Sequence, residues 1–170
     1  MVPFVERPAM ADYGVPSETD GALPWSWALE RLVRNRNYWV GTASASGRPH
    51  SLPVWGVWMP DDRFWFSCSP NARKFRNIAE NPQCVVTVDD TVECVSVEGR
   101  ARAVDPRADA AGVDRVVAAY VTKYWDDPAV HPEMEAFLRS HALVEVIPAR
   151  AFGIIEREDE FSQRATRWRW

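Results

Sequence analysis

The spacing of apolar residues changes period several times along this chain, and each change marks an element. In LPWSWALERLVRNR, Trp27, Leu29, Leu32 and Val33 recur at helical spacing while Arg31, Arg34 and Arg36 face outward. Ser26 is the expected N-cap, with Glu30 near capping-box spacing. From Tyr38 the pattern alternates instead. NYWVGTASA, HSLPVWGVW and RFWFSCS predict three strands, joined by the polar turns SGRP and MPDD into an antiparallel meander. SPNARKFRNIAENP then predicts a short helix, with Ser69 as N-cap, Pro70 at the first helical position and Asn81-Pro82 as the stop.

QCVVTVDD and VECVSVEGRARAVD read as a further hairpin with Asp89 and Asp90 at its turn. ADAAGVDRVVAAYVTKYW is an amphipathic helix carrying Val113, Val116, Val117, Tyr120 and Tyr124 on one face. Residues 125–142 predict a loop with a helical turn or two. ALVEVIPARAFGIIE and FSQRATRWRW close the chain as two strands. Strands that mostly neighbour one another in sequence, with a few helices outside them, imply a mainly β fold, a small antiparallel barrel. The barrel domain is expected over residues 25–170. Residues 1–24, with four prolines and two glycines, predict an extended arm rather than a fold element.

Composition narrows the function. A chain of 170 residues with 46% hydrophobic and 26% charged content fits one globular domain. Its apolar runs all stop well short of the ~20 residues needed to cross a bilayer. MVPFVERPAMADYG lacks the basic and apolar regions of a secretory signal, so a cytoplasmic protein without a membrane role is expected. The net charge of −4 argues against a nucleic-acid partner. Cys68, Cys84 and Cys94 form no C-x-x-C pair, and His50, His131 and His141 are scattered, so no metal site is expected.

The candidate chemistry lies in RPHSLPVWGVWMPDDRFWFSCSPNARKFRN. Proline donates no hydrogen bond to a sheet ladder, so Pro49 and Pro53 mark a strand that is an edge, bulged or paired along one side. Gly56 permits close approach to the backbone between Trp55 and Trp58. Such a strand suits either a flat ring lying against its open edge or a twisted barrel corner. Next along the chain, Arg73 and Lys74 stand at a helix N-terminus, where the dipole disfavours cations. That placement fits an anion held there with help from Ser67, Ser69 and Asn71, or a solvated basic turn. No activated nucleophile or carboxylate pair is evident, as expected where a cofactor supplies the chemistry and no catalytic side chain is assigned.

RPHSLPVWGVW, FWFSCS and ARKFRNIAENP together resemble the pyridoxamine 5'-phosphate oxidase-like split β-barrel superfamily. LPWSWALERLVRNRNYWVGT, VECVSVEGRARAV, AFGIIE and ATRWRW extend the resemblance to its actinobacterial flavin/deazaflavin oxidoreductases. The resemblance implies an FMN-binding type of split barrel, a homodimer with cofactor sites between subunits, and coenzyme F420 (alternatively FMN) as the redox group acting on a small organic substrate. It also leaves open a non-catalytic cofactor-binding protein. Carried over by residue, Arg73 and Lys74 match the phosphate-binding pair, Asn77 the following asparagine, and Ser67 a hydroxyl near phosphate or ribityl oxygens. Leu52, Pro53, Val54 and Trp55 match the strand lying along the ring. The family's Ser-Arg-Lys is Ala72-Arg73-Lys74 here, one hydroxyl short. Pyridoxamine phosphate oxidation itself is not expected, because TRWRW stands where those enzymes carry a longer substrate-binding ending. Arg31, Arg34, Arg36 and Arg48 are candidates to line an exit for an anionic cofactor tail. Trp168 and Tyr124 are candidates for the substrate pocket, with core or interface packing the alternative for Trp168. Tyr38, His50 and Tyr124 are the protic candidates nearby.

Overall fold

A computed structural model describes residues 2–170. The strands are β1 (Phe4–Glu6), β2 (Asn37–Ala43), β3 (Pro49–Trp58), β4 (Phe64–Cys68), β5 (Gln83–Val88), β6 (Glu93–Ala103), β7 (Ala142–Ile155) and β8 (Thr166–Arg169). The helices are α1 (Trp25–Arg34), α2 (Arg73–Glu80), α3 (Ala110–Tyr124), α4 (His131–Arg139) and α5 (Phe161–Arg164). The sheet runs β1-β8-β7-β4-β3-β2-β5-β6, and β6 returns to pair with β7. That last pairing closes a six-strand antiparallel barrel, with β8 and β1 appended to the far half of β7.

Alternation fills the barrel. Tyr38, Val40, Val86, Val95, Val97, Phe64 and Phe66 are wholly buried inside it, and α1 plugs one end with Trp25, Ala28 and Leu32. A second cluster forms outside, where α3 lays Val113, Val116, Val117, Tyr120 and Val121 over Val57, Trp65 and Leu143. β7 serves both layers because its register with β6 shifts at Glu98/Gly99, bending it from the barrel toward β8.

Several expectations need correction. The arm of residues 1–24 contributes a fold element, since Phe4–Glu6 pair with Arg167–Arg169. Arg7, buried at 8% exposure, then pins the arm to the C-terminal segment through the carbonyls of Glu18, Asp20, Gln163 and Ala165. Phe161–Arg164 is a helical turn rather than the start of the last strand. Residues 131–139 form a full helix. Ser26 lies inside α1, whose N-cap is Pro24. Ser69 and Pro70 belong to a turn closed by the Ala72 amide on the Ser69 carbonyl, so α2 starts at Arg73 with Ala72 as its N-cap.

Candidate functional site

The barrel is split beside β3. Residues 49–55 pair with β2 along their whole length, but β3 meets β4 only from Gly56 to Trp58. Ser67 and Cys68 of β4 correspondingly pair with β7 alone. The Pro53-bearing half of β3 therefore has one open side, as its prolines predict. Leu52 and Trp55 remain 46% and 45% exposed there. Gly56 is used differently from expectation. The Phe64 ring occupies the space a side chain would need, so this close approach belongs to the protein's own core.

Where the β3–β4 ladder ends, α3 replaces it with side chains. The Tyr120 hydroxyl donates to the Trp55 carbonyl and accepts from the Ser67 amide, bridging the two diverging strands. The Tyr124 hydroxyl lies 2.8 Å from the Gly56 amide and 2.7 Å from the Arg36 carbonyl. Lys123 Nζ donates to the Gly56 carbonyl and to Tyr38 Oη, at 3.0 and 2.6 Å. Burial raises the pKa of all three tyrosines, with Tyr124 pushed up to about 12, and drops Lys123 to about 8. Tyr38, wholly buried with its hydroxyl donating to the Leu32 carbonyl, and Tyr124 thus hold the fold rather than offer a proton to a ligand.

α2 follows directly from the split end of β4. Its inner face carries Lys74, Asn77 and Ile78, all buried, at the i, i+3, i+4 spacing of a helix. The Asn77 amide donates to Thr42 Oγ1 at 3.0 Å, fixing the helix to β2. Lys74 is only 8% exposed, and its ammonium makes no hydrogen bond or ion pair among the described residues. No side chain caps the helix, because Ala72 stands at the N-cap. The Lys74 side chain thus lies largely buried with no protein acceptor for its ammonium, and the uncapped N-terminus beside it presents free N–H groups. The arrangement fits a phosphate. Its field reaches both strands of the split. Desolvation and repulsion from Lys74 and Arg73 lower the pKa of His50, while Lys74 partly offsets the rise that burial imposes on Cys68.

The structure therefore gathers Leu52, Pro53, Val54 and Trp55 on one side of the split, Ser67 on the other, and Arg73, Lys74 and Asn77 on the helix that follows Ser67. It does not bring Trp168 there. Trp168 is wholly buried against Trp25 and Gly153 in the core of its own barrel, so it lines no opening. Tyr124 stacks behind Trp55, with centroids 4.9 Å apart, as support for that ring. A cavity of about 200 Å³ opens instead between Trp55, Cys68, Tyr120, Trp125, Phe137 and His141. Phe137, Leu138 and His141 were missed in the sequence, although Met134, Phe137, Leu138 and His141 keep an i, i+3, i+4, i+7 helical spacing. Of the four arginines proposed for a tail, Arg31 and Arg34 pair with Glu93 and Glu30. Arg36 instead lies over Trp55 and Tyr124, 5.7 and 5.2 Å from their ring centres. Among the described residues no cluster of metal ligands exists, and no helix is long and apolar enough to cross a membrane.

Solved structures share this architecture. A conserved hypothetical protein of Mycobacterium tuberculosis superposes with a TM-score of 0.65 at 19% identity, over 79% of this chain and 86% of that one. A heme storage protein of Vibrio cholerae gives 0.55 at 18%, over 73% and 86%. An F420 reductase gives 0.52 at 21%, over 72% and 93%. No curated protein matches the chain in sequence. Residues 28–152, from within α1 almost to the end of β7, match the pyridoxamine 5'-phosphate oxidase family. That span contains the split, α2 and the strands that close the barrel, and the chain belongs to this family of split barrels.

Proposed function

We propose that the protein is an oxidoreductase that binds coenzyme F420 at the split of a homodimer and acts on a small organic substrate. One observation carries the reading: the largely buried Lys74 side chain, its ammonium without a protein partner, at the uncapped N-terminus of α2. Lys74 and the first amides of α2 would hold the phosphate, with Arg73 adding charge from the more exposed side. Ser67 is placed to donate to oxygens next to it. The open edge of β3 at Leu52–Trp55 would take the ring's polar edge through its unpaired backbone groups. When bound, the deazaflavin supplies hydride transfer. The protein's part is to fix the ring against β3, neutralise the phosphate and exclude water with the aromatic side chains around Trp55.

Exposure supports the dimer. Trp39, Leu52 and Trp55 present large apolar side chains on β2 and β3 beside a strand edge, a combination monomers usually cover. A second copy related by a two-fold axis would cover both. Light scattering should report a dimer at micromolar concentration, and a compact monomer would count against this assembly.

F420 is preferred to FMN because the tryptophan-rich flanks resemble the deazaflavin subgroup, and an F420 reductase is among the structural neighbours. Side-by-side titration of the purified protein tests the choice. F420 should bind more tightly than FMN, and its binding should weaken with salt because much of the attraction is ionic. Equal or tighter binding of FMN would make this an FMN protein. No binding of either would remove the redox reading.

A further inference from the structure

The geometry points to a ligand compartment between the split and α4, adjoining the proposed cofactor site through Trp55 and Ser67, built for a planar aromatic molecule of one or two rings and anchored by His141. Its walls come from four elements and one connection. Trp55 closes the β3 side, Ser67 and Cys68 the end of β4, Tyr120 and Trp125 the end of α3 and the residue after it, Phe137 and Leu138 the last turn of α4, and His141 the link from α4 to β7. Its volume of about 200 Å³ is below the ~300–1,000 Å³ of sites for drug-sized ligands, which limits the occupant to a fragment.

The walls are preorganised. Trp55 is fixed by stacking on Tyr124 and by an edge contact with Trp125 at 5.7 Å. Phe137 lies 4.4 Å from the His141 ring, yet remains 52% exposed at the mouth. Aromatic walls of this kind favour a flat, polarisable ligand in offset or edge contact. The polar end of the compartment is specific. His141 Nδ1 lies 2.9 Å from the Phe137 carbonyl, which can only accept, and 3.1 Å from Ser140 Oγ, whose proton goes to the same carbonyl; this network favours the tautomer with the proton on Nδ1. In the neutral ring Nε2 then holds a lone pair, and it has no protein partner among the described residues. A hydroxyl on the ligand would donate to it. Cys68 and Ser67 join the compartment to the Lys74 side of the split. As the substrate compartment of the proposed oxidoreductase the site rests on that reading, but its affinity for an aromatic ligand does not.

The test uses β-naphthol with apo-protein, read in proton–nitrogen correlation spectra of the tryptophan indoles assigned with Trp55→Phe and Trp125→Phe variants. Saturable shifts confined to Trp55 and Trp125 are expected, with none from the larger hydroxypyrene. His141→Phe keeps a ring of similar shape and should weaken β-naphthol about tenfold, the worth of one hydrogen bond, while leaving naphthalene unchanged. Absent shifts, or equal losses for both probes in His141→Phe, would overturn the assignment. F420 titration in parallel separates the two proposals. Naphthol binding without F420 binding leaves this compartment standing and removes the cofactor reading; F420 binding without naphthol binding does the reverse.

Discussion

Arg7 and Lys74 are equally buried, each 8% exposed, and the protein treats them in opposite ways. The Arg7 guanidinium is surrounded by carbonyls of Glu18, Asp20, Gln163 and Ala165, and every one of its nitrogens donates. Burial still lowers its pKa, but the hydrogen bonds compensate for water. Lys74 has no such company. It sits on a helix end whose dipole repels it, with an alanine where a capping side chain would help. A cation with all its donors satisfied is part of the fold. One with no protein acceptor, at the mouth of a split strand pair, is what the proposed phosphate site would use.

The largest effect should come from breaking the satisfied member. Arg7→Ala strands buried carbonyl acceptors, each costing about 1–3 kcal/mol, so the loss should be on the order of 3–5 kcal/mol. Denaturant unfolding would measure it, and cofactor affinity measured below the transition should be unchanged. A loss under about 1 kcal/mol would show that the arm is not held through this residue.

Next in size is the clamp at Gly56. Tyr124→Phe keeps the stack on Trp55 but removes the hydroxyl from the Gly56 amide and the Arg36 carbonyl, costing about 1–3 kcal/mol. Thermal melting gives the value, and an unchanged midpoint would mean that the strands close without it.

Removing the unsatisfied cation should do the opposite. Lys74→Met removes a cation from an unfavourable helix dipole, and should stabilise apo-protein by up to about 1 kcal/mol. Apo-protein destabilised by this change would place Lys74 with Arg7, among residues that hold the fold.

The last effect is a pH dependence. Burial, with nearby Arg36, disfavours the charge of Lys123 and lowers its pKa from the ordinary 10.5 to about 8 in the folded chain. Between about pH 8 and 10 the unfolded chain binds a proton that the native Lys123 has released, so this residue makes stability rise with pH. Above that window the buried tyrosines reverse the trend, since their raised pKa values keep them protonated only in the folded state. Lys123→Met should flatten the rise. A slope that survives the substitution belongs to other groups.

Much of this was legible in the sequence where the signal is local. Alternation marked β2 to β6, and the cations before FRNIAENP marked Arg73 and Lys74, because both patterns complete themselves within a few residues. β1 was not legible. Three residues between prolines carry no period, and their partner Thr166–Arg169 lies at the other end of the chain. Trp168 failed for a related reason: alternation shows that one face is apolar without saying whether it meets the core or an opening. The cap of α2 was read one turn early because Ser69-Pro70 suits a turn as well as a helix start.

The central claim is that Lys74 is placed for an anion that the folded chain does not itself contain. Calorimetric titration of F420 into wild-type and Lys74→Ala protein tests it most directly. A charge-assisted contact is worth about 1.5–3 kcal/mol, so the variant should bind on the order of tenfold to a hundredfold more weakly, with Arg73→Ala shifted the same way but less. Equal affinity in wild type and Lys74→Ala would contradict the claim and return α2 to a basic surface helix.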